Sequence, residues 1–273
     1  MSDESPVKRH YYERTETERI RGGVNDLERV RMKDILDRFL PDPPSVVRDV
    51  GGGPGLYATW LASRDYQVHL LDLVPLHVDR ARERSDEQSD ASLAEAIVGD
   101  ARDVPWEDAS SDAVLLMGPL YHLQERGARL ETLREAYRVL RPGGCVAVSA
   151  ISRFASTYDG VVHGRFDDST FVDIAAQDRA TGRHDNPTDD PSYFTEAYYH
   201  LPAEFREELE EADFDIDGIL GVEGPGWMAD DFEERWEEER WRSRAVSIAR
   251  DLEREPSVVG ASVHMMAIAR RPG

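Results

Sequence analysis

Lysine is nearly absent from this chain: Lys8 and Lys33 are the only two, and every other basic residue is arginine. The 33 basic residues face 55 acidic ones, leaving a formal charge of −22. A field of that sign repels phosphodiester backbones and anionic membrane surfaces, so neither nucleic acid nor membrane is an expected partner. Cysteine is scarcer still. With Cys145 alone, no disulfide within the chain and no cysteine metal cluster can form, and no metal site is expected. Cys145 lies in the apolar stretch Cys145-Val146-Ala147-Val148 and reads as a small buried hydrophobe, not a reactive thiol. Long apolar runs are missing as well; none reaches the roughly 18 residues that a membrane span needs. Residues 1–12 are polar and charged, without the apolar segment of a signal peptide, so a cytoplasmic location is expected.

Hydrophobic residues make up 40% of the 273, enough to fill one α/β core carrying insertions. Leu27, Val30, Ile35, Leu36 and Phe39 fall near a 3.6-residue period, and Pro41-Asp42-Pro43-Pro44 stops the helix they define. An alternation of elements follows: strand 46–50, helix 57–64, strand 67–72, a helix that Pro75 can start, strands 93–98 and 113–117, helix 125–140, and strand 145–151. Such alternation predicts a parallel sheet covered on both faces. The rhythm breaks after Ser152, and residues 153–201 read as an inserted cap without clean periodicity. Helix 202–212, strand 214–222, an acidic helix over 230–254 and strand 262–269 complete the pattern. The expected parts are therefore an N-terminal helical lid (1–44), an α/β core (45–152), the cap (153–201), and a return to the core (202–273).

The chemistry-bearing residues begin with Asp49-Val50-Gly51-Gly52-Gly53-Pro54-Gly55, a glycine turn between a strand and a helix. Glycines there let the backbone turn tightly and let a ligand approach with no Cβ in the way. The dinucleotide fingerprint would want Gly or Ala at position 56, and Leu56 stands there. Asp72 ends the second strand about twenty residues on, where a carboxylate can accept from both ribose hydroxyls. Gly99-Asp100-Ala101 closes the third strand, and its aspartate is placed to accept from an adenine amino group.

With Val139-Leu140-Arg141-Pro142-Gly143-Gly144 before the fifth strand, this ordered set resembles the class I S-adenosylmethionine-dependent methyltransferases over roughly residues 45–151. The resemblance implies a doubly wound, Rossmann-like sheet of seven strands, order 3-2-1-4-5-7-6, with the last strand antiparallel. It implies S-adenosyl-L-methionine as cofactor and methyl transfer as the reaction. Gly51, Gly53 and Gly55, with Asp49 and Gly52, would meet the methionyl part; Asp72, with Leu73, the ribose; Asp100 and Ala101 the adenine. Met117 and Gly118 would border the methyl group. In such enzymes the N-terminal segment folds over the donor, which makes Tyr12 and Arg19 candidates to close the site. The long stretch after the fifth strand and the helix interrupting the final hairpin depart from the family pattern.

Gly118-Pro119-Leu120-Tyr121-His122-Leu123 follows the fourth strand and carries no Asn-Pro-Pro-Tyr amino-methylating signature. The acceptor is therefore expected to be a small molecule. His122 is the best-placed general base, its unperturbed pKa lying near 6.5. Tyr121, His163, His200 and Trp227 are the candidates for the acceptor pocket. A donor-binding module without turnover and an NAD-dependent oxidoreductase are the competing classes, and a second copy of the chain stays open as a partner.

Acid excess with almost no lysine and abundant arginine resembles proteins of salt-accumulating halophiles, in which an acidic surface serves solubility. An arginine bias alone is what a GC-rich genome also produces; the acidity is not. Self-repulsion at −22 should destabilise the fold in dilute buffer, and screening should relieve it. Thermal melts from low to molar KCl are expected to move upward, and a flat or falling midpoint would remove the halophilic reading.

Overall fold

A computed structural model describes residues 23–88, 92–188 and 190–273. The chain divides into two compact units, each assembled from several segments. The first holds Leu36–Ser149, Arg206–Gly218 and Ala267–Gly273; the second holds, among described residues, 23–35, Ala150–Phe205 and Ile219–Met266. No helix among the described residues is long and apolar enough to cross a membrane.

The first unit is built on parallel strands β1 (Val46–Val50), β2 (Gln67–Asp72), β3 (Glu95–Val98), β4 (Ser111–Leu116) and the start of β5 (Leu140–Ser152). Their order is β3-β2-β1-β4-β5. Their apolar runs follow from burial on both faces, and four of the five β1 residues are buried. Helices α2 (Leu56–Ala62), α3 (Pro75–Glu87) and α4 (Arg126–Val139) make the crossovers. Pro75 occupies the first turn of α3, where a missing N–H costs nothing. The chain leaves β1 toward β2 and β3, then returns to lay β4 on the opposite flank. The carboxyl ends of β1 and β4 therefore diverge around a crevice, the place where open α/β sheets bind ligands.

β5 is longer than expected. It begins at Leu140, directly after α4, and takes in the Arg-Pro-Gly-Gly segment as strand. Its register with β4 shifts between Ser111 and Ala113, and Gly143 takes φ +81°. Gly143 and Gly144 exchange backbone hydrogen bonds with Arg271 at 2.8 and 3.0 Å, so a segment expected to precede the strand is paired as part of it. Cys145 is buried in β5, and burial pushes its thiol up to about 11.

The second unit contains most of α1 (Gly23–Phe39) and replaces the expected aperiodic cap with α5 (Ala155–Val162), α6 (Ser169–Thr181), β6 (Arg183–His184) and β7 (Ala197–His200). Phe171, Ile174, Ala175 and Asp178 are the buried stripe of α6, at helical spacing. The last slot is an aspartate, which hides the period. Asp178 accepts from the Ser156 hydroxyl at 2.6 Å and faces His184 Nδ1 at 3.0 Å, so its burial is compensated. Asp168 caps α6 by accepting from the Thr170 and Phe171 N–H groups, and Gly182 at φ +77° ends it. β7 pairs in parallel with the end of β5, Ile151 opposite Tyr199, while β6 pairs antiparallel with β7.

β8 (Asp215–Gly221) pairs with β9 (His264–Arg270), and β9 also pairs with β5. Gly143 donates to Arg271 at one end of β5 and Ser152 to Val263 at the other, so β9 runs antiparallel to β5. The strands expected as sixth and seventh are thus β8 and β9, in the expected places, and β7 and β6 are additions from the cap. The acidic helix over 230–254 is two helices, α8 (Phe232–Trp236) and α9 (Glu239–Leu252), parted by the extended Glu238. Phe232 stacks on Trp236 at 5.5 Å and meets Trp241 edge-on at 5.0 Å, so aromatic packing overrides a charge pattern that reads as one helix.

One ion pair of the first unit bears on the crevice. Arg129 of α4, fully buried, forks onto Glu208 of α7 (Pro202–Glu211) at 2.6 and 3.1 Å. Its Nη1 donates to the carbonyls of Leu123 and Gln124, fixing the end of the loop after β4. Removing one partner strands a buried charge. Arg129→Ala is expected to lower unfolding stability by about 3–5 kcal/mol, whereas the double change Arg129→Met with Glu208→Leu should cost far less. Urea denaturation of the three proteins checks this.

Candidate functional site

The glycine turn after β1 is anchored to β2: the Gly51 and Gly52 N–H groups both donate to Leu71 O, at 2.7 and 3.2 Å. Gly51, Gly53 and Gly55 all take positive φ, at 71°, 53° and 78°. Two of the three are also packed. A Cβ on Gly51 would lie 2.7 Å from the Pro119 ring, and one on Gly55 would lie 2.9 Å from Ala81. A Cβ on Gly53 would meet nothing within 4 Å, so this glycine faces the open side of the turn. On the opposite wall, a Cβ on Gly118 would sit 3.4 Å from Gly51 O and 3.6 Å from the Tyr121 hydroxyl. The loops after β1 and β4 thus lie close against each other.

Asp72, at the end of β2, braces the turn. Its Oδ2 accepts from Gly53 N–H at 2.8 Å, and its Oδ1 accepts from Val74 N–H at 2.9 Å and meets His77 Nδ1 at 3.1 Å. Oδ2 keeps acceptor capacity beyond that one bond, since a carboxylate oxygen has two lone pairs. His77 escaped sequence reasoning; its only signal is a histidine in the first turn of α3, five residues after the aspartate. Leu73, next to Asp72, leaves 37% of its surface exposed, an apolar face beside the crevice. Gly99 N–H donates to Asp72 O at 3.0 Å, which brings the end of β3 alongside. Asp100 there accepts from the Arg102 N–H and from its guanidinium, at 2.9 and 2.6 Å, a turn-and-fork arrangement; Ala101 is half-buried beside it.

Asp49 lies beneath the turn, fully buried, with no group at hydrogen-bond distance from either oxygen among the described residues. A Cβ on Gly52 would lie 2.7 Å from its Oδ2, so the bare glycine is what gives this carboxyl its room. Burial pushes the carboxyl up to about 7; the Asp72 charge pushes the same way, and the Ala58 backbone N–H opposes both at longer range.

Met117 and Gly118 are half-buried at the end of β4, with the Tyr121 hydroxyl 3.5 Å from Met117 O. His122 ends the short 3-10 turn Leu120–His122; its ring centroid is 4.7 Å from that of the buried Tyr121. The first unit therefore gathers Asp49, the glycines, Asp72, Leu73, Asp100, Ala101, Met117, Gly118, Tyr121 and His122 onto one sheet edge. The other candidates lie elsewhere. Tyr12 and Arg19 fall outside the described residues. His163, His200 and Trp227 belong to the second unit. There the exposed His163 bonds Asp159 at 3.0 Å, and His200 is buried against Tyr198 and Phe205. Trp227 is buried in an aromatic cluster and donates to Ala261 O.

Residues 48–148 match the family described as a methyltransferase domain. A ubiquinone/menaquinone biosynthesis C-methyltransferase of Ruegeria sp. is 28% identical over 129 residues, 46% of this chain and 50% of that protein. A tRNA 5-carboxymethoxyuridine methyltransferase of Escherichia coli is 29% identical over 191 residues, 68% of this chain and 67% of that one. The chain spans between about a fifth and two thirds of the length of the first curated relatives it matches. Among solved structures, a SAM-dependent methyltransferase from Methanosarcina mazei superposes with TM-score 0.59 at 16% identity, covering 87% of this chain and 97% of its own. That likeness establishes the shared fold.

The buried Asp49 carboxyl makes a pH-dependent expectation. Its folded-state value near 7 stands above the ordinary 3.8, so the folded chain holds the extra proton between those values and loses stability as pH rises through the window. Asp49→Asn removes the ionisable group without changing its shape. The substitution should raise the melting temperature at pH 8 and leave it nearly unchanged at pH 4; equal shifts at both would show that Asp49 does not hold a proton.

Proposed function

Since residues 48–148 form a class I S-adenosylmethionine-dependent methyltransferase domain, we propose that this chain transfers the donor's methyl group to a small-molecule acceptor at the β1/β4 crevice. The observation behind the small-molecule reading is the net charge of −22, which works against docking a polyanion. Relatives named as tRNA methyltransferases, from Escherichia coli and from mouse, favour a nucleic-acid acceptor and set the competing arm of the test.

The residues fit the donor on chemical grounds. Gly53 presents open backbone, Asp49 a buried carboxyl that an ammonium group would satisfy, and Asp72 an acceptor for ribose hydroxyls. Leu73 and Ala101 offer apolar surface for a purine, with Asp100 at its edge. The bound donor supplies a methyl group already activated on a sulfonium, whose sulfur keeps the electron pair as the new bond to the acceptor forms. The remaining tasks belong to the protein. Met117, Gly118 and Tyr121 hold the reacting atoms in line and exclude water, and alignment of that kind is worth up to ~7–11 kcal/mol. His122 takes the acceptor's proton, a contribution of about 10²–10⁴ in rate.

Isotope-labelled donor, incubated in molar KCl with a small-molecule extract or with total tRNA, separates the readings. Label in the small-molecule fraction supports the proposal. Label in tRNA replaces it, and donor binding with no labelled product in either pool reduces the chain to a binding module. With the acceptor in hand, His122→Gln should lower kcat about 10²-fold and abolish the acid limb of the rate profile while leaving donor affinity unchanged. Wild-type turnover with an unaltered profile would remove His122 from proton transfer.

A further inference from the structure

The second unit brings three metal-ligating side chains together from three separate elements. Glu28 lies on α1, Glu223 two residues past the end of β8, and His264 at the first position of β9. A carboxylate oxygen from each glutamate and an imidazole nitrogen all lie within 4.8 Å of one another. The geometry points to a site for one divalent ion of the zinc–manganese class, which we propose clips Glu28 of α1 to the ends of the paired strands β8 and β9.

The spacing suits an ion. Zinc binds carboxylate and imidazole at about 2.0–2.2 Å, which sets neighbouring donor atoms roughly 3–3.5 Å apart. His264 Nδ1 stands 2.7 Å from Glu223 Oε1 and 3.8 Å from Glu28 Oε2, so the observed distances bracket that range and each needs to change by under about an ångström. Two of the ligands are held in place beforehand. Glu223 is 1% exposed, and its Oε2 accepts from the His264 backbone N–H at 2.9 Å while its Oε1 faces the ring of the same residue. The carboxylate therefore grips His264 at two points and fixes where the imidazole stands. Glu28 is the outermost of the three, its side chain 24% exposed, and it gives an ion and its remaining water ligands a way in.

The donor set narrows the ion. One nitrogen and two carboxylates suit borderline divalent metals, whereas calcium wants six to eight oxygens and magnesium prefers to keep its water. A proton on Nδ1 makes the contact between His264 and Glu223, and an ion would take that proton's place among the three donor atoms.

Zinc titration of the tag-free, metal-stripped full chain tests the site, with magnesium as control and both calorimetry and thermal melting as readouts. The chain holds eight histidines, so adventitious zinc is expected, and the decisive comparison is with Glu28→Gln and His264→Gln. The wild type should bind one zinc per chain at this site and melt at a higher temperature with zinc than without. Glu28→Gln should lower that affinity at least tenfold while its metal-free melting temperature stays at the wild-type value. His264→Gln should abolish the zinc-dependent rise. Cobalt(II) gives a second readout: its visible absorption in the wild type should report nitrogen–oxygen coordination and change in Glu28→Gln even if His264→Gln fails to fold. Zinc affinity in Glu28→Gln equal to wild type, or magnesium bound as tightly as zinc, would overturn the proposal.

Discussion

The crevice depends on the close approach of a bare glycine backbone to a proline ring. The turn after β1 lies against the loop after β4 only while position 51 carries no Cβ, since one would run into the Pro119 ring at 2.7 Å. That contact seats Gly118 near Gly51 O, while the turn itself is held from β2 by the Leu71 carbonyl and by Asp72 on Gly53. The glycines differ in what they do. Gly51 and Gly55 are needed for packing as well as for φ, whereas Gly53 is needed for φ alone and leaves its outer face to a ligand.

Much of the first unit was legible in the sequence because its elements obey simple periodicities. β1 begins and ends with its apolar run, β2 keeps the expected span 67–72, and α3 begins at Pro75, where a missing N–H costs nothing. The candidate donor residues could be read in order because strand ends fix their spacing. What could not be read were the places where a polar residue takes a buried slot. Asp178 in the stripe of α6 hid a helix, and the Arg-Pro-Gly-Gly segment, expected ahead of the fifth strand, joins it through bonds to Arg271, far along the chain. His77 was missed for the same reason: its partner is defined by the fold of the turn and not by spacing. Trp227 and His200 read as candidates because aromatic and imidazole side chains near strand ends look alike whether they line a pocket or fill a core.

The scarcity of lysine has an interior counterpart. Arg31, Arg48, Arg129 and Arg153 are all buried, and the guanidinium fork serves each differently. Arg129 binds a carboxylate and two carbonyls at once, Arg31 spans Asp34, Glu253 and the Val222 carbonyl, and Arg153 joins Glu204 to the Tyr199 carbonyl. Arg48 lies over the Trp106 ring with its centre 4.6 Å away, and burial holds its guanidinium below the usual value. A single ammonium could not satisfy such sets of acceptors, so lysine is disfavoured inside this fold for geometric reasons as well as on its surface.

The bonds of Arg271 also say something about the order in which the chain can mature. Its backbone pairs with Gly143 and Gly144, and its Nη1 donates to the carbonyls of Tyr137, Arg138 and Leu140, closing the junction between α4 and β5. During synthesis, β1 to β5 leave the ribosome long before residue 271 is made, at a pace of about 5–20 residues per second. For several seconds the nascent sheet therefore carries an unsealed edge at β5, the kind of edge that recruits stray strands. A stretch with a proline and two glycines, with charge at Arg141 and a kink at Gly143, is a poor template for such pairing, and it keeps that edge available for its own distant partner.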